Sequence, residues 1–143
     1  MIYAIGADHR GFAHKEYIKE MIAHIEWLDA GAYNDERSDY PVFAHNVCKA
    51  ILSGKADGGV LLCGSGVGMS IAANRYKKIY AGLAWNVSVA VQNKEDDAVN
   101  VLVIPSDYVS PELAVEMICA WHDATFLGGR YQERIEMIDK IEK

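Results

Sequence analysis

The chain has 143 residues, of which 51% are apolar and 24% charged, with 12 glycines and 3 prolines. A chain of this size buries roughly 68–70% of its unfolded surface on folding, so we expect one domain over residues 1–143 that needs no disulfide or metal for stability. A net charge of −6 argues against electrostatic binding of nucleic acid. Apolar runs in the sequence stay shorter than the roughly 18 residues of a membrane span.

The cysteines and the start of the chain predict a location in a reducing cytoplasm. The opening MIYAIGADHR is typical of a strand and lacks the basic start and cleavage site of a signal peptide. Cys48, Cys63 and Cys119 are an odd number of cysteines and contain no C-x-x-C pair. This pattern is not that of a disulfide-bonded secreted protein.

Short apolar segments alternate with helical segments along the chain. The predicted strands are Ile2–Gly6, Ile25–Ala30, Gly58–Cys63, Ile79–Ala84 and Asn100–Pro105. The predicted helices between and after them are Phe12–His24, Tyr40–Leu52, Val67–Arg75, Val87–Lys94 and Pro111–His122. Most of the strands are continuously apolar, which is typical of parallel strands covered on both faces. The order predicts an α/β protein with a five-stranded parallel sheet and right-handed crossovers.

A last amphipathic helix, Tyr131–Lys143, follows the chain-reversing pair Gly128-Gly129. Its Ile135, Ile138 and Ile141 form an apolar stripe, although no predicted strand remains for it to cover. We therefore expect a dimer in which this helix packs on a second copy of the chain.

A glycine-rich loop follows the third predicted strand, at the edge where open parallel sheets bind their ligands. The alternate glycines of Gly64–Gly68 allow backbone N–H groups to turn toward an anion, and the positive end of the next helix adds to the attraction. The loop predicts a cradle for a phosphate or an oxyanion. A tight strand-to-helix turn without a ligand explains the glycines about equally well. The spacing matches neither a dinucleotide-binding fingerprint nor a Walker loop.

Cys63 lies directly before this loop, where the helix end can lower the pKa of its thiol and make it a base or a nucleophile. Cys48 and Cys119 are interpreted as small apolar residues of the interior. His14, His24, His45 and His122 have no ligand-like spacing and are interpreted as structural.

Two further groups of residues are candidates for binding an anion. Asp8-His9 is either an acid–imidazole pair or a phosphate contact, against the alternative of a capping aspartate and an exposed histidine. Arg130 and Arg134 lie four residues apart, on one face of the last helix. They either clamp a phosphate or form a solvated charged face with Glu133.

Five stretches together carry a resemblance that extends from Met1 nearly to Lys143. They are GADHRGF (Gly6–Phe12), SDYP (Ser38–Pro41), ADGGVLLCGSGVGMSIAANRY (Ala56–Tyr76), NVLVIP (Asn100–Pro105) and GGRYQERI (Gly128–Ile135). In these motifs the chain resembles the ribose-5-phosphate isomerase B and galactose-6-phosphate isomerase family. The resemblance implies a three-layer Rossmann-like fold with a C-terminal dimerisation helix, assembled as a homodimer or a dimer of dimers.

The resemblance also implies an activity, the interconversion of an aldose and a ketose sugar phosphate without a metal or other cofactor. The substrate it favours is ribose 5-phosphate. Cys63 matches the base that removes the C2 proton, and the loop after it matches the group that stabilises the enediolate. The implied substrate contacts are Asp8, His9, Tyr40, Gly64, Ser65, Gly66, Val67 and Gly68, together with Arg130 and Arg134 reaching the phosphate from a partner subunit.

Three sites in the sequence depart from the family pattern. Asp96 and Asp97 replace a His-Asn pair whose histidine opens the sugar ring, Asp107 replaces a phosphate-binding arginine, and Tyr131 replaces a histidine. Asp96 is then the candidate for ring opening and Asp97 a candidate substrate contact. The alternatives to a ribose-5-phosphate isomerase are an isomerase of another sugar, one chain of a heteromeric galactose-6-phosphate-type isomerase, and a non-catalytic sugar-phosphate sensor.

Overall fold

The computed structural model describes residues 1–141, which form five parallel strands and six helices. The strands are β1 (Ile2–Ala7), β2 (Glu26–Asp29), β3 (Gly58–Cys63), β4 (Ala81–Leu83) and β5 (Val101–Pro105). The helices are α1 (Phe12–Met21), α2 (Tyr40–Leu52), α3 (Val67–Ala73), α4 (Val87–Asp97), α5 (Pro111–Asp123) and α6 (Arg130–Asp139). The strand order is β2-β1-β3-β5-β4, so the predicted α/β fold with a five-stranded parallel sheet is confirmed.

Side chains that alternate along the strands form two separate cores. Ile5 and Leu62 belong to the core on one face of the sheet, which α1, α4 and α5 cover. Ala4 and Leu61, one residue before each, belong to the core on the other face, which α2 and α3 cover. Because both faces are buried, the strands need no polar positions, which explains their continuous apolar runs. The result is the predicted three-layer arrangement.

The edge strand β4 is shorter than the predicted Ile79–Ala84. The side-chain amide of Asn100 accepts a hydrogen bond from the N–H of Tyr80 at 2.9 Å and donates one to the carbonyl of Lys78 at 2.9 Å. Lys78 itself has a positive φ of 69°. The segment before β4 is thus bonded to a side chain instead of a strand.

Helix α4 is one turn longer than predicted and ends at Asp97 instead of Lys94. Ala98 follows in the left-handed conformation, with φ 51°, and its N–H bonds to the carbonyls of Asn93 and Lys94. A helix between parallel strands runs back to the edge where the strands begin. The last turn of α4, with Asp96 and Asp97, therefore lies at that edge.

Helix α6 begins after Gly128 and Gly129, whose φ angles of +70° and +56° reverse the chain as predicted. It contacts α4, and its Ile135 is buried whereas its Ile138 is exposed. Ile141, just beyond the end of the helix, is exposed as well. Residues 142 and 143 of the predicted last helix lie outside the described residues. Within residues 1–141, no helix has the length and apolarity required to cross a membrane.

Candidate functional site

The loops that follow β1, β2, β3 and β5 meet at the edge of the sheet where these strands end. The N–H of Ala7 donates to the carbonyl of Gly31 at 2.8 Å, and the N–H of Ala32 donates back to Ala7 at 2.6 Å. On the other side, the N–H of Asp107 donates to the carbonyl of Gly64 at 3.0 Å. Backbone hydrogen bonds thus fix the positions of the loops that surround the end of β3.

Cys63 is buried at the end of β3, directly before the loop that leads into α3. Burial raises the pKa of the Cys63 thiol, whereas hydrogen bonds from the N–H groups of Met69 and Gly66 lower it. Nearby, Asp8 raises the pKa further and Arg10 lowers it, and the net result is a pKa above the ordinary value. The expectation of a lowered pKa is wrong, because loss of hydration outweighs the helix end.

The glycines of the loop permit close contacts that a larger residue would prevent. Gly66 precedes α3 with a φ of 78°, and a Cβ added there would collide with the side chain of Leu83. A Cβ on Gly68 would lie 2.5 Å from Cζ of Tyr40, so the tyrosine ring lies directly on the start of α3. The structure therefore brings Tyr40, a predicted substrate contact, to the glycine-rich loop.

The other two predicted contacts of this loop, Ser65 and Val67, are exposed. The hydroxyl of Ser65 accepts a hydrogen bond from the N–H of Val67 at 3.3 Å. Ser65 thereby caps an N–H group at the start of α3, where a helix has no internal partners for its first amides.

Asp8 and His9 are bonded to different partners and do not form an acid–imidazole pair. The buried carboxylate of Asp8 accepts the N–H groups of Arg10 at 3.0 Å and Gly11 at 3.3 Å. The N–H of Ser38 donates to Nδ1 of His9 at 3.2 Å, and the N–H of His9 donates to Oγ of Ser38 at 3.1 Å. Since a backbone N–H only donates, Nδ1 carries no proton and a neutral His9 presents its Nε2–H as a donor.

Arg10 and Asp107 form an ion pair across this edge of the sheet. The guanidinium lies against Gly64, where an added Cβ would be 2.5 Å from Cζ of Arg10. Asp107 is therefore not an isolated negative charge. Without a partner, a carboxylate about 4 Å from one unit of negative charge would cost about 4 kcal/mol at an effective dielectric of 20, and the guanidinium offsets this repulsion.

The hydroxyl of Ser106 is buried directly after β5, and no hydrogen-bond partner exists for it among residues 1–141. The N–H of the same residue donates to the carbonyl of Cys63 at 2.9 Å. A polar group left unpaired in the interior is a candidate for bonding a ligand or an ordered water.

The four remaining predicted site residues lie together at the opposite edge of the sheet. Asp96 interacts electrostatically with Arg130, and Asp97 interacts with Arg134. The ring of Tyr131 lies 5.3 Å from the guanidinium carbon of Arg130 and 5.7 Å from that of Arg134. Because α4 and α6 meet where the strands begin, these residues are separated from Cys63 by the length of the sheet.

The carboxyl group of Asp97 in this second cluster has a shifted pKa. Burial raises the pKa of Asp97, the neighbouring Asp96 raises it further, and Arg134 lowers it, with a net increase. The sequence predicts an acid–base role for Asp96 and a substrate contact for Asp97. An acid–base role near neutral pH requires a raised pKa, and Asp97 has one.

A buried lysine near the first cluster had no role in the sequence argument. Lys15 on α1 is fully buried, and its Nζ donates to both carboxylate oxygens of Asp29, at 2.9 and 2.7 Å. Asp29 ends β2 and also accepts the N–H of Gly31 at 2.9 Å. The signal in the sequence was a lysine three residues before Ile18, on the buried face of the helix.

Other histidines and cysteines have structural partners. His14 bonds to the carbonyl of Val109 at 2.7 Å, His45 to the hydroxyl of Tyr76 at 2.7 Å and His122 to the hydroxyl of Tyr3 at 2.9 Å. Burial raises the pKa of Cys48 to about 12. No three or more His, Cys, Asp or Glu side chains within residues 1–141 are arranged to hold a metal ion.

Comparison with known proteins identifies the family to which a chain with this fold and these residues belongs. The model of the Ribose/Galactose Isomerase family matches residues 3–138. Ribose-5-phosphate isomerase B of Escherichia coli is 41% identical, over 98% of this chain and 95% of that protein. The crystal structure of a ribose 5-phosphate isomerase from Thermotoga maritima superposes with a TM-score of 0.95 at 41% identity, covering 98% of each chain. The enzyme of Mycoplasma genitalium with bound ribulose-5-phosphate gives 0.91 at 34% identity, covering 97% and 94%.

The fold and these relatives define the class of the protein, which is an α/β sugar-phosphate isomerase that interconverts aldoses and ketoses. The chain belongs to the Ribose/Galactose Isomerase family.

Proposed function

We propose that this protein interconverts ribose 5-phosphate and ribulose 5-phosphate, with Cys63 as the base. The observation that carries the proposal is the position of Cys63, buried at the end of β3 directly before the glycine-rich loop that opens α3. In the proposed reaction, the thiolate takes the proton from C2 of the open-chain aldose. The C2–H electron pair forms the C1–C2 double bond, and the carbonyl electrons move to O1 to give an enediolate. Return of the proton from the thiol to C1, with transfer of the O2 proton to O1, produces the ketose.

The residues around Cys63 supply the other requirements of this reaction. Amides of the Gly64–Gly68 loop other than those of Gly66 and Val67, which interact with the sulfur and with Ser65, stabilise the negative oxygen of the enediolate. The Nε2–H of His9, whose direction Ser38 fixes, donates to a substrate oxygen. Asp8 and Tyr40 complete the contacts at this edge, the first by holding the turn after β1 and the second by packing on Gly68.

The site is completed, we propose, by a second copy of the chain in a homodimer. Arg130 and Arg134 are separated from Cys63 by the length of the sheet, so they can reach a substrate at Cys63 only if they come from another copy. Their two guanidinium groups then bind the phosphate. Asp96 and Asp97 accompany them, and the raised pKa of Asp97 suits a carboxyl group that donates a proton during ring opening.

A second candidate, an isomerase of a different sugar phosphate, is favoured by the acidic residues of both clusters. Asp96, Asp97 and Asp107 add negative charge where a doubly charged phosphate is to bind. A sugar with different hydroxyl positions can use these carboxylates as hydrogen-bond acceptors.

Proton NMR in deuterated water, with ribose 5-phosphate, allose 6-phosphate and galactose 6-phosphate in turn, tests both candidates. We expect loss of the C2 proton signal of ribose 5-phosphate with formation of ribulose 5-phosphate. Cys63→Ala should abolish the exchange, whereas Cys48→Ala, at a buried cysteine away from the site, should retain it. Turnover of another sugar alone would support the second candidate. Exchange that survives in Cys63→Ala would remove Cys63 as the base, and no exchange with any sugar would indicate a sensor.

A further inference from the structure

Arg10 lies beside Cys63 but has no role in the reaction proposed above. A Cβ built on Gly64 would lie 2.5 Å from Cζ, 2.6 Å from Nε and 2.8 Å from Nη1 of Arg10, so the guanidinium covers the first glycine of the loop. The backbone N–H of Arg10 bonds to the buried carboxylate of Asp8, and its Nη2 bonds to Asp107. Arg10 is thus held next to Cys63 by its backbone N–H and by its guanidinium group.

The ion pair between Arg10 and Asp107 is open to solvent, so a ligand can reach the guanidinium group and displace the carboxylate. The side chains of Arg10 and Asp107 are 56% and 34% exposed, and a pair in such a position contributes little to stability. A guanidinium has five N–H donors, and a contact with one carboxylate leaves most of them for a ligand. A phosphate accepts two parallel N–H bonds from such a group and competes well with a solvated carboxylate.

We propose that Arg10 binds the phosphate of the sugar phosphate, and that Asp107 holds the guanidinium over Gly64 while the site is empty. This proposal rests on the proposed function and adds a phosphate contact from the same chain as Cys63. It also gives Asp107 a role, because a carboxylate that keeps the arginine in place competes with the phosphate for it. Only glycine at position 64 leaves room for the guanidinium plane.

The test compares phosphorylated and unphosphorylated ligands in Arg10→Met, Arg10→Lys and Asp107→Asn. Arg10→Met should weaken the binding of inorganic phosphate, measured by titration calorimetry, by about tenfold or more, since hydrogen bonds between charged groups are lost. The KM for ribose 5-phosphate should rise by a similar factor, whereas turnover of unphosphorylated ribose should fall by a much smaller factor, because Arg10 also lowers the pKa of Cys63. Arg10→Lys should be intermediate, because an ammonium cannot form two parallel bonds. Asp107→Asn should bind phosphate more tightly.

Arg75→Met is the matched control, because Arg75 is exposed just after α3 at the other edge of the sheet and should leave phosphate affinity unchanged. Equal losses on ribose and ribose 5-phosphate would show that Arg10 acts at the reacting end and would overturn the proposal. Unchanged phosphate affinity in a folded Arg10→Met would also overturn it. Phosphate affinity that depends on Arg10, in a protein that turns over no sugar, would refute the proposed function and leave the Arg10 proposal standing.

Discussion

Cys63 shows how burial and hydrogen bonding oppose each other at one residue. The sulfur is removed from water at the end of a central strand, which favours the neutral thiol, and the amides of Gly66 and Met69 favour the thiolate. Burial dominates, so the resting thiol holds its proton more firmly than an exposed cysteine does. A base with a high pKa is a strong base once formed, but little of it is present at neutral pH.

The pH dependence of kcat/KM follows directly from this balance. A base works only when deprotonated, so a raised pKa moves the rise in activity to higher pH. We expect kcat/KM to increase with pH and to level off only above about 8.5, the ordinary pKa of a cysteine. A rate profile, paired with the pH dependence of Cys63 alkylation in a Cys48→Ala, Cys119→Ala background, measures it. A plateau reached below that pH would contradict the assignment of the thiol as the titrating base.

At the scale of the elements, the Lys15–Asp29 pair joins α1 to the end of β2. Asp29 also accepts hydrogen bonds from Lys19 at 2.6 Å and from the N–H of Gly31, which lies in the loop that carries Ser38. Burial raises the pKa of the Asp29 carboxyl, but hydrogen bonds from Lys15, Lys19 and Gly31 outweigh burial and lower it. The pair thus anchors the loop whose Ser38 orients His9.

Substituting the two partners should have unequal effects on stability. Asp29→Asn leaves the fully buried ammonium of Lys15 with Glu16 as its remaining carboxylate partner, and loss of one partner of a buried pair costs about 3–5 kcal/mol. Lys15→Met should cost less, because Asp29 keeps Lys19. Urea unfolding at neutral pH measures the loss in free energy of unfolding for each variant.

The difference between wild type and Asp29→Asn should also depend on pH. A depressed carboxyl pKa contributes stability that is present above the unfolded value, about 3.9, and is lost as the pH falls through the lower folded value. The difference should therefore shrink below about pH 4. Equal costs for the two substitutions, or a difference independent of pH, would contradict the role of this pair.

Features that depend on residues close together in the sequence, such as strands and helices, were predicted well. Gly58–Cys63 and Tyr40–Leu52 agree with β3 and α2, because an apolar run and a helical stripe are local patterns. Arg10 and Asp107 are 97 residues apart, so no local pattern reveals their pairing. Likewise, the end of α4 depends on the left-handed Ala98, a conformation that alanine rarely adopts. The raised pKa of Cys63 could not be predicted either, because it results from burial of the sulfur, which depends on the packing of the whole fold.

At the scale of the whole molecule, the predicted site residues lie in two clusters at opposite edges of one sheet, which the proposed dimer would combine as two half-sites. The first contains Cys63 and the glycine-rich loop, and the second contains Arg130 and Arg134. Exposed apolar side chains accompany both, including Val67 and Ile71 on α3 and Ile138 on α6. Exposed apolar residues beside incomplete sites are what a symmetric dimer would bury, with each copy giving one half-site to each active site.

Hybrid dimers distinguish a shared site from one formed within a single copy. Co-expression of differently tagged chains, followed by purification on both tags, gives dimers with one chain of each kind. If the sites are shared, a hybrid of Cys63→Ala with Arg134→Ala has one complete site and should retain about half of the wild-type kcat/KM. Each variant alone should be inactive, and a hybrid of Cys63→Ala with wild type serves as the positive control.

The opposite pairing makes the test decisive, because it reverses the expected result. In a hybrid of wild type with a Cys63→Ala, Arg134→Ala double variant, a shared arrangement leaves a defect in both sites, since each takes one half-site from the damaged chain. This hybrid should be inactive. If each copy carried its own complete site, the wild-type chain would keep about half of the activity, and the hybrid of the two single variants would have none. The pair of hybrids thus assigns Arg134 to the same copy as Cys63 or to its partner, whatever the sugar.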